Sequence, residues 1–237
     1  MIANKFKRKI KGIVATLSIA IGLALIMLGI KFSEKKNNAR FSRTWCRIFF
    51  PFNHLELEIY GVFDESAQML MINHQSAADI IFLEGLHPQN LCWIAKKQLG
   101  KIPFYGYALR GPKMILIDRE DRKSLIHIFK ESKKALDDGR PLAIFPEGTR
   151  CKDERKFLPF KSGAKFVAEK FGLKIQPIVL VNFSRIYNSS PIEIRGNKAR
   201  VIALKAFDLT EVGEDWYERL EVQMQEVYQK HFDELNS

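Results

Sequence analysis

Gln68-Met69-Leu70-Met71-Ile72-Asn73-His74-Gln75-Ser76-Ala77-Ala78-Asp79 is the stretch from which the fold of this chain is read. Residues 68–72 form a short apolar run without alternation, which predicts a strand buried on both faces. Ser76 is a good N-cap, so a helix is expected to open there and run through Leu83, with Asp79 at its third position. His74 then falls on the loop between strand and helix. Helical side chains lean toward the amino terminus of their helix, so Asp79 leans back toward His74. On one unbroken helix the two would stand roughly 140° apart, so their meeting depends on the helix starting after His74.

The same pattern repeats outward. Leu55, Leu57 and Ile59 alternate ahead of turn signals at Gly61 and Asp64, which predicts a half-buried strand. Further buried strands are expected at Leu91–Ala95, Met114–Ile117, Leu142–Phe145, Ile175–Val181 and Ala199–Leu204. Helices are expected at Arg122–Leu136, Ser162–Phe171 and Asp215–Phe232, the last with Trp216, Leu220, Met224 and Val227 on one stripe. Strands alternating with helices specify an α/β fold with a mixed, largely parallel sheet flanked by helices.

A carboxylate on one imidazole nitrogen sets the tautomer and strengthens the other nitrogen as a base, so His74 and Asp79 suit a catalytic dyad. Ser76-x-x-Asp79 is equally a capping box, which needs no catalysis. The position of His74 after a buried strand favours the dyad, because loops at the carboxyl ends of strands carry sites in α/β folds. Leu142–Phe145 runs into Pro146-Glu147-Gly148-Thr149-Arg150, where Gly148 permits a tight turn and Arg150 offers a planar fork matched to phosphate oxygens. The competing reading of Arg150 is an ion pair with Glu147. Arg119, in Ile117-Asp118-Arg119, and Lys96 likewise end strands and are candidates for the same anion pocket.

At 237 residues and 46% apolar content, the chain holds one sizeable domain and a small appendage. Its net charge of +11 is concentrated in residues 1–47, where eleven Lys and Arg face Glu34 alone, leaving only about +1 elsewhere. Those cations flank Gly12–Ile30, 19 residues without a charge, which as a helix would measure about 28 Å, close to the hydrocarbon thickness of a bilayer. A membrane anchor over residues 1–50 is expected, ahead of a catalytic domain over 51–237. The run is longer than a signal-peptide core and no small-x-small site follows it, which favours retention. Positive charge on both sides leaves a full span and a dip into one leaflet equally open. Phe41–Phe50 mixes aromatic, apolar and basic residues, as an interfacial helix does; its alternative is a helix packed on the domain. The charge distribution disfavours a nucleic-acid partner. Cys46, Cys92 and Cys151 are odd in number and widely spaced, which argues against a disulfide framework or a zinc site and fits a reducing, cytoplasmic setting. Cys92 reads as a buried small hydrophobe.

Asn73-His74-x-x-x-x-Asp79, Ala95-Lys96-Lys97-Gln98-Leu99, Ile117-Asp118-Arg119, Phe145-Pro146-Glu147-Gly148-Thr149-Arg150 and Gln176-Pro177-Ile178 together resemble the 1-acylglycerol-3-phosphate acyltransferase family, in order and spacing. The resemblance covers roughly residues 50–205. It implies that His74 is the general base with Asp79 as partner, and that Glu147, Gly148, Thr149 and Arg150 belong to the acceptor site. Arg119 and Lys96 become phosphate contacts. It further implies an amino-terminal helical pair in the membrane, lysophosphatidic acid as acceptor, and acyl carrier protein or a coenzyme A thioester as donor, with no metal or other cofactor. The expected location is the cytoplasmic face of the inner membrane. The family more often has Lys-x-Glu-Leu where this chain has Gln98, so position 98 receives no role. A Ser-His-Asp lipase or thioesterase is disfavoured because no G-x-S-x-G elbow occurs and Ser76 is better placed as a cap. Acylation of another lyso-lipid, and a non-catalytic phospholipid-binding protein, are the alternatives to carry forward.

Overall fold

A computed structural model describes residues 2–33, 37–103, 105–118 and 124–237. The helices are α1 (Ile2–Ser33), α2 (Arg40–Arg43), α3 (Ala78–Leu86), α4 (Tyr105–Arg110), α5 (Ser124–Asp137), α6 (Ser162–Phe171), α7 (Phe183–Ile186) and α8 (Trp216–Asn236). The strands are β1 (Glu56–Tyr60), β2 (Met69–Ile72), β3 (Cys92–Lys96), β4 (Ile115–Ile117), β5 (Leu142–Ile144) and β6 (Lys174–Val181), followed by β7 (Asn188–Ser189), β8 (Ile192–Glu193), β9 (Lys198–Ala203) and β10 (Phe207–Asp208).

The main sheet runs β1-β9-β6-β2-β5-β3-β4, with β10 on β6. Strands β6, β2, β5, β3 and β4 are parallel; β9 joins β6 antiparallel and β1 follows it in parallel. The sheet is therefore mixed and largely parallel. β2 lies at its centre, and all four of its residues are fully buried because helices cover both faces. One face packs on α5, α6 and α8 through Ile128, Val167, Leu220 and Met224. The other packs on α1, α3 and α7 through Ala15, Phe82, Leu83 and Phe183.

Two sequence expectations shift. The helix after His74 begins at Ala78 and continues to Leu86, because Ser76 and Ala77 are held in a turn by side-chain bonds described below. In α8 the buried stripe is Trp216, Leu220, Met224, Tyr228 and Phe232, an unbroken i,i+4 series, and Val227 sits half-buried beside it. Residues 122–123 of the expected helix over 122–136 lie outside the described residues. Cys46, Cys92 and Cys151 are all free and buried.

The stretch over 41–50 is a short α-helical turn followed by a 3-10 segment, Thr44–Phe49. Its two sides differ: Phe41, Trp45 and Ile48 are exposed, while Arg43, Cys46 and Phe49 are buried against the domain. α1 divides in the same way. Phe6, Ile10, Ile13, Leu17, Ile21, Leu25, Leu28 and Phe32 form an exposed apolar stripe at three- and four-residue steps, while Ala15, Ile26 and Ile30 face the protein. Two glycines let the inner face approach closely: a methyl group at Gly12 would lie 2.6 Å from Glu193 Cα, and one at Gly22 would lie against the Phe49 ring.

A buried charge cluster fastens the amino-terminal helices to α3. Glu84 is 5% exposed; its Oε1 accepts from Arg43 Nη2 and from Trp93 Nε1, both at 2.5 Å, and its Oε2 meets Arg40 Nη1 at 3.4 Å. Arg40 also donates to the Glu84 and His87 carbonyls. Removing one partner of a buried pair leaves a desolvated charge. Arg43→Ala is expected to lower stability by on the order of 3 kcal/mol, measured by urea denaturation; a loss below about 1 kcal/mol would show that the cluster does not fasten these helices.

Candidate active site

Asn73 follows β2 and is fully buried, and its carboxamide continues the strand pairing: Nδ2 donates to Leu180 O at 2.9 Å and Oδ1 accepts from Leu180 N at 2.7 Å. β2 is thereby anchored to β6 one residue past its end, and His74 is presented at the carboxyl edge of the sheet. His74 Nδ1 lies 2.8 Å from Asp79 Oδ2. The same oxygen accepts the backbone N–H of Gln75 at 2.8 Å and of Ser76 at 2.9 Å. Ser76 Oγ in turn accepts from Ala78 N at 3.1 Å and donates to Tyr187 O. The capping box and the dyad are therefore one arrangement built on one carboxylate oxygen, and Ser76 is occupied as a cap.

With the proton on Nδ1 directed at Oδ2, His74 Nε2 carries the lone pair. The ring stacks on Phe145, centroids 3.8 Å apart and planes 13° apart, which holds its orientation. The His74 side chain is 15% exposed, whereas Asp79 is fully buried, so the base is reachable and its partner is not.

Glu147 takes a place the sequence did not indicate. It was expected in the acceptor site, but it is 1% exposed, with Oε1 accepting from His74 N at 2.7 Å and Oε2 from Leu158 N at 2.8 Å. Both oxygens thus brace backbone: the carboxylate ties the His74 loop to the segment following Arg150. Burial pushes the Glu147 carboxyl up to about 7, against the pull of the two N–H donors, and the Asp79 charge adds to the rise. The ion pair between Glu147 and Arg150 does not form. Gly148 takes φ +76, which lets the chain reverse after Glu147 with Gly148 N bonded to Phe145 O. Thr149 and Arg150 then stand exposed, and Arg150 Nη1 donates to Ser189 Oγ on β7 at 2.8 Å. Lys96 is exposed at the end of β3, which pairs with β5, so it shares the edge that carries the Arg150 loop. Arg119 lies outside the described residues.

Other residues of the site left no readable signal in the sequence. α8 holds the segment after Arg150 with side chains one turn apart: Glu221 accepts from Phe160 N at 3.0 Å and Gln225 from Phe157 N at 2.7 Å, while Tyr228 donates to Glu154 O. Gln75 Nε2 donates to the Tyr228 hydroxyl at 2.8 Å, joining this scaffold to the His74 loop. Asn73, as a polar residue directly after an apolar run, is the one that could have been singled out. Beside the site, between the ends of β3, β4 and β5 and helices α5 and α6, lies a mainly apolar cavity of about 370 Å³ that Phe145, Gly148, Gly163 and Val167 help to line.

The profile of the family described as Acyltransferase matches residues 55–181. A 1-acyl-sn-glycerol-3-phosphate acyltransferase of Helicobacter pylori (strain J99) is 51% identical over 237 residues, the whole of both chains. The chain belongs to the 1-acylglycerol-3-phosphate acyltransferase family. Its members include an enzyme of that name from Saccharomyces cerevisiae, 33% identical over 120 residues that make up 50% of this chain and 40% of the yeast one. The crystal structure of the 1-acyl-sn-glycerophosphate (LPA) acyltransferase PlsC from Thermotoga maritima superposes with a TM-score of 0.76 over 98% of each chain, at 20% identity, and shows the same fold. This member of the acyltransferase family is thus an enzyme with a mixed sheet, flanking helices and a long apolar amino-terminal helix.

The raised Glu147 value has a measurable consequence. A carboxyl whose pKa is higher in the fold than its ordinary 4.5 contributes most to stability below pH 4.5, and that contribution is lost as pH rises through about 7. The stability of the wild type relative to Glu147→Gln is therefore expected to fall between pH 4.5 and 7 in denaturation series. A difference that stays constant across that window would show that Glu147 keeps an ordinary pKa.

Proposed function

We propose that the protein transfers a fatty acyl group from an acyl thioester to the sn-2 hydroxyl of 1-acyl-sn-glycerol 3-phosphate, forming phosphatidate. The observation that carries this reading is the His74–Asp79 pair at 2.8 Å, at the sheet edge that also presents Arg150. The name of the full-length Helicobacter pylori relative supports the choice of acceptor.

His74 Nε2 removes the proton from the sn-2 hydroxyl as that oxygen attacks the thioester carbonyl. The imidazolium formed is stabilised by Asp79, whose carboxylate is already oriented by two backbone N–H groups. Collapse of the tetrahedral intermediate expels the thiolate, which recovers the proton from His74. Both substrates held together make the attack effectively intramolecular, so an acyl-enzyme is unnecessary, and the reaction needs no metal. Arg150 is the first phosphate ligand: its exposed guanidinium offers a bidentate fork, and its bond to Ser189 positions it without neutralising it. Lys96 and Arg119 are proposed as further phosphate contacts. The acyl carrier is acyl carrier protein or coenzyme A, and the apolar cavity beside Phe145 suits a hydrocarbon chain.

We also read α1 as lying within one leaflet. Lys5–Ser33 is long enough to cross a membrane, and its most apolar 18-residue stretch has a mean hydropathy of 2.6, yet only 22% of that stretch is buried by protein. Its inner face is pinned to the domain from Arg8, whose carbonyl accepts from Ile194 N, to Ile30, against Gly111. Crossing the bilayer would carry the polar domain into hydrocarbon, so the exposed stripe from Phe6 to Phe32 inserts sideways, with Phe41, Trp45 and Ile48 beside it. The site then opens at the cytoplasmic face, within reach of a lyso-lipid in that leaflet.

Transfer of a labelled acyl group to lysophosphatidate in detergent micelles tests the reaction, with both thioester donors offered. His74→Ala and Asp79→Asn are each expected to lower kcat by about 10³-fold or more, since general-base catalysis and its orientation are lost together. Substantial residual turnover in His74→Ala would overturn the dyad assignment. Arg150→Ala is expected to raise KM for lysophosphatidate by about tenfold while leaving KM for the thioester within about threefold. Failure of the folded wild type to form phosphatidate would redirect the search to other lyso-lipid acceptors. For the anchor, Leu17→Asp with Ile21→Asp is expected to move the protein from the membrane pellet to the supernatant, and retention in the pellet would overturn the sideways insertion.

A further inference from the structure

We propose that a basic cavity at the amino-terminal turns of α1 binds the phosphate of an anionic membrane phospholipid at a site separate from the one that transfers the acyl group. The cavity, about 390 Å³, lies between α1 and the two loops at 53–54 and 194–197. α1 supplies Lys7, Arg8 and Lys11, and the residues lining the cavity include no acid. At 100° per residue these three cations lie within about 100° of arc on one side of the helix. Among the described residues none of them takes part in an ion pair. Lys11 Nζ donates at 3.0 Å to the neutral Asn53 Oδ1, which steadies the ammonium and leaves its charge uncompensated. Arg195 on the opposite wall differs, because it is already paired with Glu154 at 2.9 Å and Glu193 at 3.3 Å.

The frame around these charges is built by other contacts. Asn197 Nδ2 donates to His54 O at 3.0 Å, Asn53 Nδ2 donates to Gly196 O at 3.4 Å, and Ile194 N bonds to Arg8 O at 3.3 Å. Uncompensated cations converging in a preformed concavity attract an anion with several acceptor oxygens, and a phosphate satisfies lysine and arginine together. The source of that phosphate follows from the neighbouring surface. Phe6, Ile10 and Ile13, on the same turns of α1, are 66%, 44% and 51% exposed and begin the apolar stripe that runs down the helix. A headgroup phosphate in the cavity leaves its acyl chains beside that stripe, an arrangement that gives a free phosphate ion no advantage. The cavity shares no lining residue with the His74 site. It adjoins the β7–β8 hairpin, whose Ser189 holds Arg150, so a bound headgroup would set the enzyme's depth and tilt next to its phosphate-binding loop.

This inference rests on the insertion of α1 into one leaflet. The test is sedimentation of the full chain with vesicles of phosphatidylcholine alone or with phosphatidylglycerol added, comparing Lys7→Ala with Lys11→Ala against the equal-charge control Lys5→Ala with Lys9→Ala. Both pairs lose the same diffuse attraction to an anionic surface, so any additional loss belongs to the cavity. The cavity pair is expected to bind phosphatidylglycerol vesicles about tenfold more weakly than the control pair, the scale of one charge-assisted hydrogen bond. All variants should bind phosphatidylcholine vesicles alike. Equal losses from both pairs would overturn the site in favour of diffuse charge. Displacement of the preference by inorganic phosphate at matched concentration would assign the cavity to a free ion instead of a lipid. Unchanged vesicle binding with weakened use of acyl carrier protein relative to coenzyme A thioesters would assign it to an acidic protein. A wild type that binds neither vesicle would overturn the leaflet reading, while phosphatidate formation in micelles would remain as the independent check on the reaction.

Discussion

One oxygen of Asp79 receives the His74 imidazole and the backbone N–H groups of Gln75 and Ser76, and much of the site's geometry follows from that convergence. Full burial makes these bonds count, because a carboxylate out of water must be satisfied by protein donors. Satisfying it folds residues 74–76 back over the start of α3 and points the imidazole outward. The S-x-x-D turn and the His–Asp pair are therefore held by the same carboxylate oxygen. The turn before α3 supplies the two N–H groups that hold the carboxylate, and the carboxylate holds the histidine.

That turn is braced from several sides by parts of the chain remote in sequence. Asn73 clasps β6, Glu147 accepts the His74 N–H from the loop after β5, and Gln75 reaches Tyr228 on the last helix. Glu147, Leu158 and the Glu221-Gln225-Tyr228 series of α8 fix the segment beyond Arg150 by backbone bonds. The exposed Arg150 can then stand free of Glu147 and reach across to Ser189. Rigid support beneath exposed functional groups is the arrangement that orientation-dependent catalysis requires.

The opposite face of the sheet carries the amino-terminal helices. α1 is apolar on both sides, its inner side packed on β8, Tyr187 and Phe49 and its outer side bare. The Glu84 cluster ties α2 to α3, the helix that carries Asp79, so the amino-terminal helices and the His74–Asp79 pair are fastened to one element. Movement of the amino-terminal helices relative to the site is restricted by buried charge pairing on top of apolar packing.

The sequence by itself determined the elements whose signal is local. Apolar runs marked β2, β5 and, despite Gln176, β6; the uncharged stretch of 19 residues marked α1, and the five-residue spacing from His74 to Asp79 marked the His–Asp pair once a helix start lay between them. Even there the boundaries of α3 and the stripe on α8 moved, because side-chain caps and a straight i,i+4 series depend on what packs against them. Tertiary structure alone decided that Glu147 supports His74, that Arg150 pairs with Ser189, that Glu84 gathers two arginines and a tryptophan, and which side of α1 is covered. Apart from Glu84 and Trp93, nine positions apart, these pairings join residues about 40 to 75 positions apart. They exist because β2 lies between β5 and β6, strands that begin some 70 and 105 residues later. Periodicity reports the environment of a residue and its near neighbours, whereas the partner of a lone buried polar group is set by which strands the folded sheet places side by side.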